Sequence, residues 1–140
     1  MPSLSALGFQ CVNLTPEDAP LSRSIALGIA AAQEYQPEAA MIALADMPFV
    51  PEAHIASMLK AFDGDRLATG GETVHPPALF AALHFQALCK LAGDKGAASL
   101  LTGVPVISLD PELGFDVDTL ADLARAQDIH AKLNRVGIIQ

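Results

Sequence analysis

Residues 39–45, Ala-Ala-Met-Ile-Ala-Leu-Ala, form an unbroken apolar run that stops abruptly at Asp46-Met47-Pro48. A short run with no polar alternation predicts a strand buried on both faces, as in the centre of a parallel sheet. A buried helical turn is the competing reading; Pro37 before the run and the Asp-Met-Pro break after it favour the strand. Around this strand, residues 9–14 (Phe-Gln-Cys-Val-Asn-Leu) read as another short strand. Pro16 and Pro20 keep the following connection out of helix. Ser22 can then cap a helix running to about Tyr35, with Ile25, Gly28, Ile29 and Ala32 at helical spacing.

The alternation continues along the chain. Pro51 suits a first helical turn, and Ile55, Met58, Leu59 and Phe62 share one face of the helix it begins. Residues 67–69 read as a brief strand, and Gly70, Gly71, Pro76 and Pro77 as a loop. Phe80, Leu83, Ala87, Leu88 and Leu91 predict an amphipathic helix. Residues 104–107 read as a strand at an edge, because Pro105 lacks a ladder donor. Thr119 and Asp122 predict a helix-starting box, with Leu120, Leu123 and Ala124 facing the core. Strands alternating with helices over short connections predict one three-layer α/β domain spanning residues 1–140.

Composition excludes several classes. With 51% hydrophobic and 17% charged residues in 140, the chain is neither a disordered segment nor a long exposed helix. A net charge of −8, from 16 acidic and 8 basic side chains, disfavours nucleic acid and anionic membrane surfaces as partners. Apolar runs fall far short of the roughly 20 residues of a membrane span. Cys11 and Cys89 have no paired spacing and read as core residues, so a reducing compartment, the cytoplasm, is expected. Aromatic residues are only 5%, leaving a core of Ala, Leu, Ile and Val that buries little area per position. Such a core is expected to need a second chain.

Few residues are placed for chemistry. Asp46 leaves the end of a buried strand, where α/β sheets collect ligand sites, and its carboxylate either binds a hard divalent cation or caps a turn. Asp116 and Asp118 point to one face if extended and could share a cation; alternatively Asp118 or Thr119 caps the next helix and Asp116 faces water. Ser22 and Ser24 lie at a helix start, where free amides receive phosphate or hydroxyl groups, although capping alone accounts for Ser22. In Gly93-Asp94-Lys95-Gly96, Lys95 meets either an anionic ligand or solvent. His75, Pro76 and Pro77 fix an extended loop that either frames a ring pocket or lies on the surface. No glycine-rich phosphate loop followed by lysine is present.

Taken together, Asn13, PLSRSIALG (20–28), ALADMPFV (43–50), HPPALF (75–80), LAGDKGAASLL (91–101) and FDVDTLADL (115–123) resemble the MobA-like nucleotidyltransferase family. The resemblance covers most of the chain, and the HPPALF form leans toward the cytidylyltransferase-like or general NTP-transferase branch. It implies a three-layer Rossmann-like, GT-A-like fold that binds an NTP with Mg²⁺. Such enzymes transfer CMP or GMP from CTP or GTP to molybdopterin or a similar phosphorylated acceptor, releasing pyrophosphate. By motif, Asp46 would be the main Mg²⁺ ligand and a catalytic residue, with Asp118 or Asp116 a second acidic contact. Ser22 and Ser24 would approach the nucleotide, and His75, Pro76 and Asp94 the acceptor. The family's opening strand and glycine-rich loop with arginine and lysine have no counterpart before Phe9. Pro20 and Leu120 also replace a usual glycine and a usual proline. The resemblance therefore implies an N-terminally truncated domain with two open readings: a transferase whose activity is lost or severely weakened in the chain as given, or a non-catalytic binding or structural remnant. A metal-dependent phosphohydrolase is a third reading that lacks a general base. The missing strand leaves a sheet edge, from which a homodimer is expected.

Overall fold

A computed structural model describes residues 4–16, 19–71, 73–94 and 96–136. Helix α1 (Leu21–Gln33) precedes β1 (Ala39–Ile42), and α2 (Glu52–Ala61) precedes β2 (Arg66–Gly70). Then come β3 (Val74–Ala81), a 3-10 turn at Ala82–His84, α3 (Phe85–Cys89), a second 3-10 turn at Ala98–Leu101, β4 (Val106–Ser108) and α4 (Leu120–Val136). The sheet order is β1-β3-β2-β4, with β3 antiparallel to both neighbours and β2 parallel to β4. Three strands thus run one way and one runs back: the sheet is mixed rather than parallel.

Alternation along the central strands builds three layers. Ala78 and Phe80 of β3 and Ala68 of β2 face a cluster with Ile25 and Ile29 of α1 and Phe85 and Leu88 of α3. Leu67 and Leu79 face the opposite layer, where Met58 of α2 is fully buried. Each such side chain contributes about 1.5–3 kcal/mol by leaving water. Phe49, Ala126 and Ile129 form a third cluster, against which Phe115 and Val117 pack. No helix among the described residues is long and apolar enough to cross a membrane.

Several sequence expectations change. Among the described residues the apolar run makes an edge strand, not a central one: β1 is half-buried and pairs with β3 alone. Residues 9–14 join no strand, and Phe9 is 60% exposed. The segment expected as a loop and then a helix from Phe80 is strand β3, because pairing on both sides outweighs local helical spacing. Leu83 is accordingly exposed. In α4 the buried stripe is Ala126 and Ile129, while Leu120 and Leu123 face solvent. Cys11 and Cys89 are both exposed rather than in the core.

The prolines of β3 shape the ladder. By pairing parity, position 77 directs its backbone toward β2, where proline has no N–H to give. The β2–β3 register slips there: Ala68 pairs with Ala78, but Thr69 pairs with His75. Pro76 and Pro77 are the extra residues of that bulge, which turns His75 toward the end of the sheet.

Candidate functional site

The carboxyl ends of β1, β2 and β4 and the start of β3 lie at one end of the sheet, the end where α/β folds bind ligands. Asp46 lies four residues past β1. Its backbone carbonyl accepts the Val117 N–H at 2.9 Å, fastening the segment between Asp116 and Asp118 to the β1 end. Phe115 and Val117 turn into the third cluster, so Asp116 and Asp118 emerge exposed on the other side. Among the described residues no group of three His, Cys, Asp or Glu side chains is close enough to hold a metal by itself.

Asp46 Oδ1 is buried and has no hydrogen-bond partner among the described residues. A carboxylate oxygen in that state is costly unless a cation or donor reaches it. It is not capping a turn through that oxygen. At the third segment the capping reading holds for Thr119: Asp122 Oδ2 accepts the Thr119 N–H at 2.9 Å and its hydroxyl at 2.7 Å. The Asp122 N–H donates in return to Thr119 Oγ1. These bonds from Thr119, foremost its side chain, lower the Asp122 pKa.

Ser22 is 4% exposed, in the first turn of α1 and not at its cap, which is Pro20 with no side-chain bond. Its N–H donates to the Gly93 carbonyl at 3.3 Å, bringing the α1 start to the Gly93-Asp94 turn. Ser22, Arg23 and Gly93 line an open cleft of ≈ 670 Å³. Ser24 is exposed and lines a different groove, between α1 and β1. Lys95 lies outside the described residues. His75 and Pro76 line a mostly apolar cavity of ≈ 180 Å³ with Leu21, Ile42, Leu44 and Gly96. His75 Nδ1 lies 2.6 Å from the Pro76 carbonyl, and its ring packs on Gly114. The structure therefore brings the backbones of Asp46 and the 116–118 segment to the same end of the sheet without clustering the three carboxylates, and places His75, Pro76 and the α1 start around the cavity; Ser24 stands apart.

Sequence reading passed over His54. It is buried on α2 at a position whose neighbours Ile55 and Leu59 carried the apolar signal. Its Nε2 lies 2.9 Å from Thr69 Oγ1, and Thr69 donates to the Pro77 carbonyl at 2.9 Å. One hydroxyl proton serves both contacts only if His54 Nε2 carries a hydrogen and donates it. Burial, then the nearby His75, lowers the His54 pKa and keeps the ring neutral. The signal available was a histidine four residues before Met58 on a packed helix.

The mixed sheet, the helices on both faces and the acidic strand end define a Rossmann-like domain of nucleotidyltransferase type. The family model for the MobA-like NTP transferase domain matches residues 1–110, and the chain belongs to that family. Solved structures with the same fold include Rv0371c from Mycobacterium tuberculosis H37Rv, at TM-score 0.66 and 24% identity over 76% of this chain. The Rv0371c homolog from Mycobacterium sp. strain JC1 gives a TM-score of 0.65 and 25% identity over 77% of this chain. The matched part spans 59% of each of those chains. A search of curated proteins found no significant match.

Proposed function

We propose that the chain binds a nucleoside triphosphate, CTP or GTP, with Mg²⁺ and transfers the nucleotidyl group to a phosphorylated acceptor of molybdopterin type. The buried Oδ1 of Asp46, unpartnered among the described residues, carries this reading, because a buried carboxylate oxygen without a protein donor is suited to a cation. Mg²⁺ keeps several waters and binds through one or two carboxylates plus substrate phosphates, so a closed protein cage is not required. Asp46, with Asp116 or Asp118, would hold it, and Asp46 and Asp118 are the proposed catalytic residues. When bound, the ion offsets charge on the phosphates during transfer. The acceptor phosphate oxygen forms a bond to the α-phosphorus as the α–β bridging bond breaks, and pyrophosphate leaves with the electron pair. Ser22 and Ser24 are proposed on the nucleotide side, and His75, Pro76 and Asp94 on the acceptor side. The reading includes association of the chain with itself and a cytoplasmic setting.

Binding without transfer is the second reading, favoured by the lack of a third acidic or histidine ligand beside Asp46 among the described residues. Calorimetry of CTP and GTP, with and without Mg²⁺, tests both. The transferase reading expects magnesium-dependent binding that Asp46→Asn reduces about tenfold or more, and pyrophosphate release with acceptor. Binding without release selects the second reading. Unchanged affinity in Asp46→Asn rejects Asp46 as the metal ligand.

A further inference from the structure

At the bulge in β3 neither Pro76 nor Pro77 can give a ladder hydrogen. The β2–β3 register slips there, so the ladder alone does not hold the residues between His75 and Ala78. The Thr69 hydroxyl bridges the slip by donating to the Pro77 carbonyl at 2.9 Å. Met58 Sδ, 3.6 Å from the same hydroxyl, is the weaker acceptor. With its hydrogen spent on Pro77, Thr69 Oγ1 can only accept from His54 Nε2, 2.9 Å away. The bonds therefore run one way, from α2 through β2 to the bulge, and His54, Thr69 and Pro77 are all buried. Burial, and then the nearby His75, disfavour the charged form of His54, so the donor end of this relay is a neutral ring.

The bulge carries His75, the residue paired with Thr69 in the ladder. His75 Nδ1 lies 2.6 Å from the Pro76 carbonyl, which can only accept, so Nδ1 holds the hydrogen of the neutral ring. A Cβ at Gly114 would stand 3.2 Å from His75 Cε1 and 3.6 Å from Nε2, so the loop after β4 stops the ring on that side. Nε2 makes no hydrogen bond among the described residues. Of the residues lining the adjoining apolar cavity, His75 is the one that titrates. We propose that His54 is a positioning residue for His75: through Thr69 and the Pro77 carbonyl it pins the bulge, holding His75 as the Nδ1–H tautomer with Nε2 open beside the cavity. Packing alone does not account for this, because valine would fill the Thr69 site without reaching Pro77 with a hydrogen. The use of the ring rests on the acceptor-side reading of His75 given above; its positioning does not. On that reading Nε2 accepts a hydrogen from an N–H or O–H of the acceptor, the one directional contact in a cavity otherwise lined by apolar side chains, Gly96 and Pro76.

Two-bond ¹H–¹⁵N NMR of the histidine rings tests the proposal on the 140-residue chain, without nucleotide or acceptor. It is recorded at about pH 8, where ordinary imidazoles are neutral. The parent is expected to show His54 as the Nε2–H tautomer and His75 as the Nδ1–H tautomer. Thr69→Ser keeps the hydroxyl and should retain both patterns. Thr69→Val should cost His75 its single-tautomer pattern, leaving a mixture of the two forms, although no bond joins residue 69 to that ring. His54→Leu should move His75 the same way by a smaller amount, since Thr69 still reaches Pro77 but has lost the donor that orients it. Should Thr69→Val not fold, His54→Leu gives the decisive spectrum. An Nε2–H tautomer for His75 in the parent overturns the proposal. So does a His75 pattern unchanged in the folded variants, which would leave the His54–Thr69–Pro77 bonds a purely stabilising role even if unfolding becomes easier. Nucleotide binding through Asp46 is read separately by calorimetry, so either reading can fail while the other stands.

Discussion

Replacing the Thr69 hydroxyl by a methyl group, Thr69→Val, keeps the shape and β-branching of a side chain that is fully buried in a central strand. It removes the one group that pairs His54 Nε2 with the Pro77 carbonyl. Each buried polar group left without a partner costs about 1–3 kcal/mol, and two are created. Against this stands a gain below about 1 kcal/mol for the added methyl. The net loss is therefore about 1–6 kcal/mol, a large part of the roughly 5–15 kcal/mol that holds a domain of this size together. At about 3 °C per kcal/mol, the thermal midpoint should fall by about 3–18 °C. Circular dichroism melts and urea unfolding at neutral pH provide the assay. In a cycle with His54→Leu, the double variant should lose about 1 kcal/mol or more less than the sum of the singles, because the orphaned ring N–H is gone. A midpoint for Thr69→Val within about 1 °C of the parent, or strict additivity, would refute the buried His54–Thr69–Pro77 chain as a stabilising unit.

Three further outcomes are expected. The lowered pKa of His54 means the folded chain binds fewer protons than the unfolded one as pH falls below the ordinary value of 6.5. Stability should then decline from about pH 6.5 downward until the folded-state pKa is passed, and urea midpoints should lose that component of the slope in His54→Leu. A Cβ at Gly70 would stand 2.5 Å from Val106 Cβ, so Gly70→Ala should cost about 1–3 kcal/mol by urea unfolding, and should cost less when measured in a Val106→Gly background, which lacks that Cβ. Thr119→Ala breaks the reciprocal box at the start of α4 and should cost about 1 kcal/mol in thermal unfolding, with Thr119→Ser nearly silent.

The sequence by itself determined the helices α1 and α2, the capping box at Thr119 and a short apolar strand leading to Asp46. Each of these is a local signal: apolar period, a turn residue, or a side chain bonding to its own backbone neighbours. The family was legible for the same reason, since its motifs are short segments read in order. Only the tertiary structure decided that the most apolar strand lies at an edge and that β3 runs against its neighbours. Strand order depends on pairing between distant residues, which no local pattern encodes. His75-Pro-Pro-Ala-Leu-Phe has the spacing of a loop entering a helix, yet becomes strand because two neighbours offer ladders at once. Likewise Phe115-Asp-Val-Asp carries acids at a suggestive spacing. It is the Val117 bond to Asp46, from 71 residues further along the chain, that sets them at the same end of the sheet.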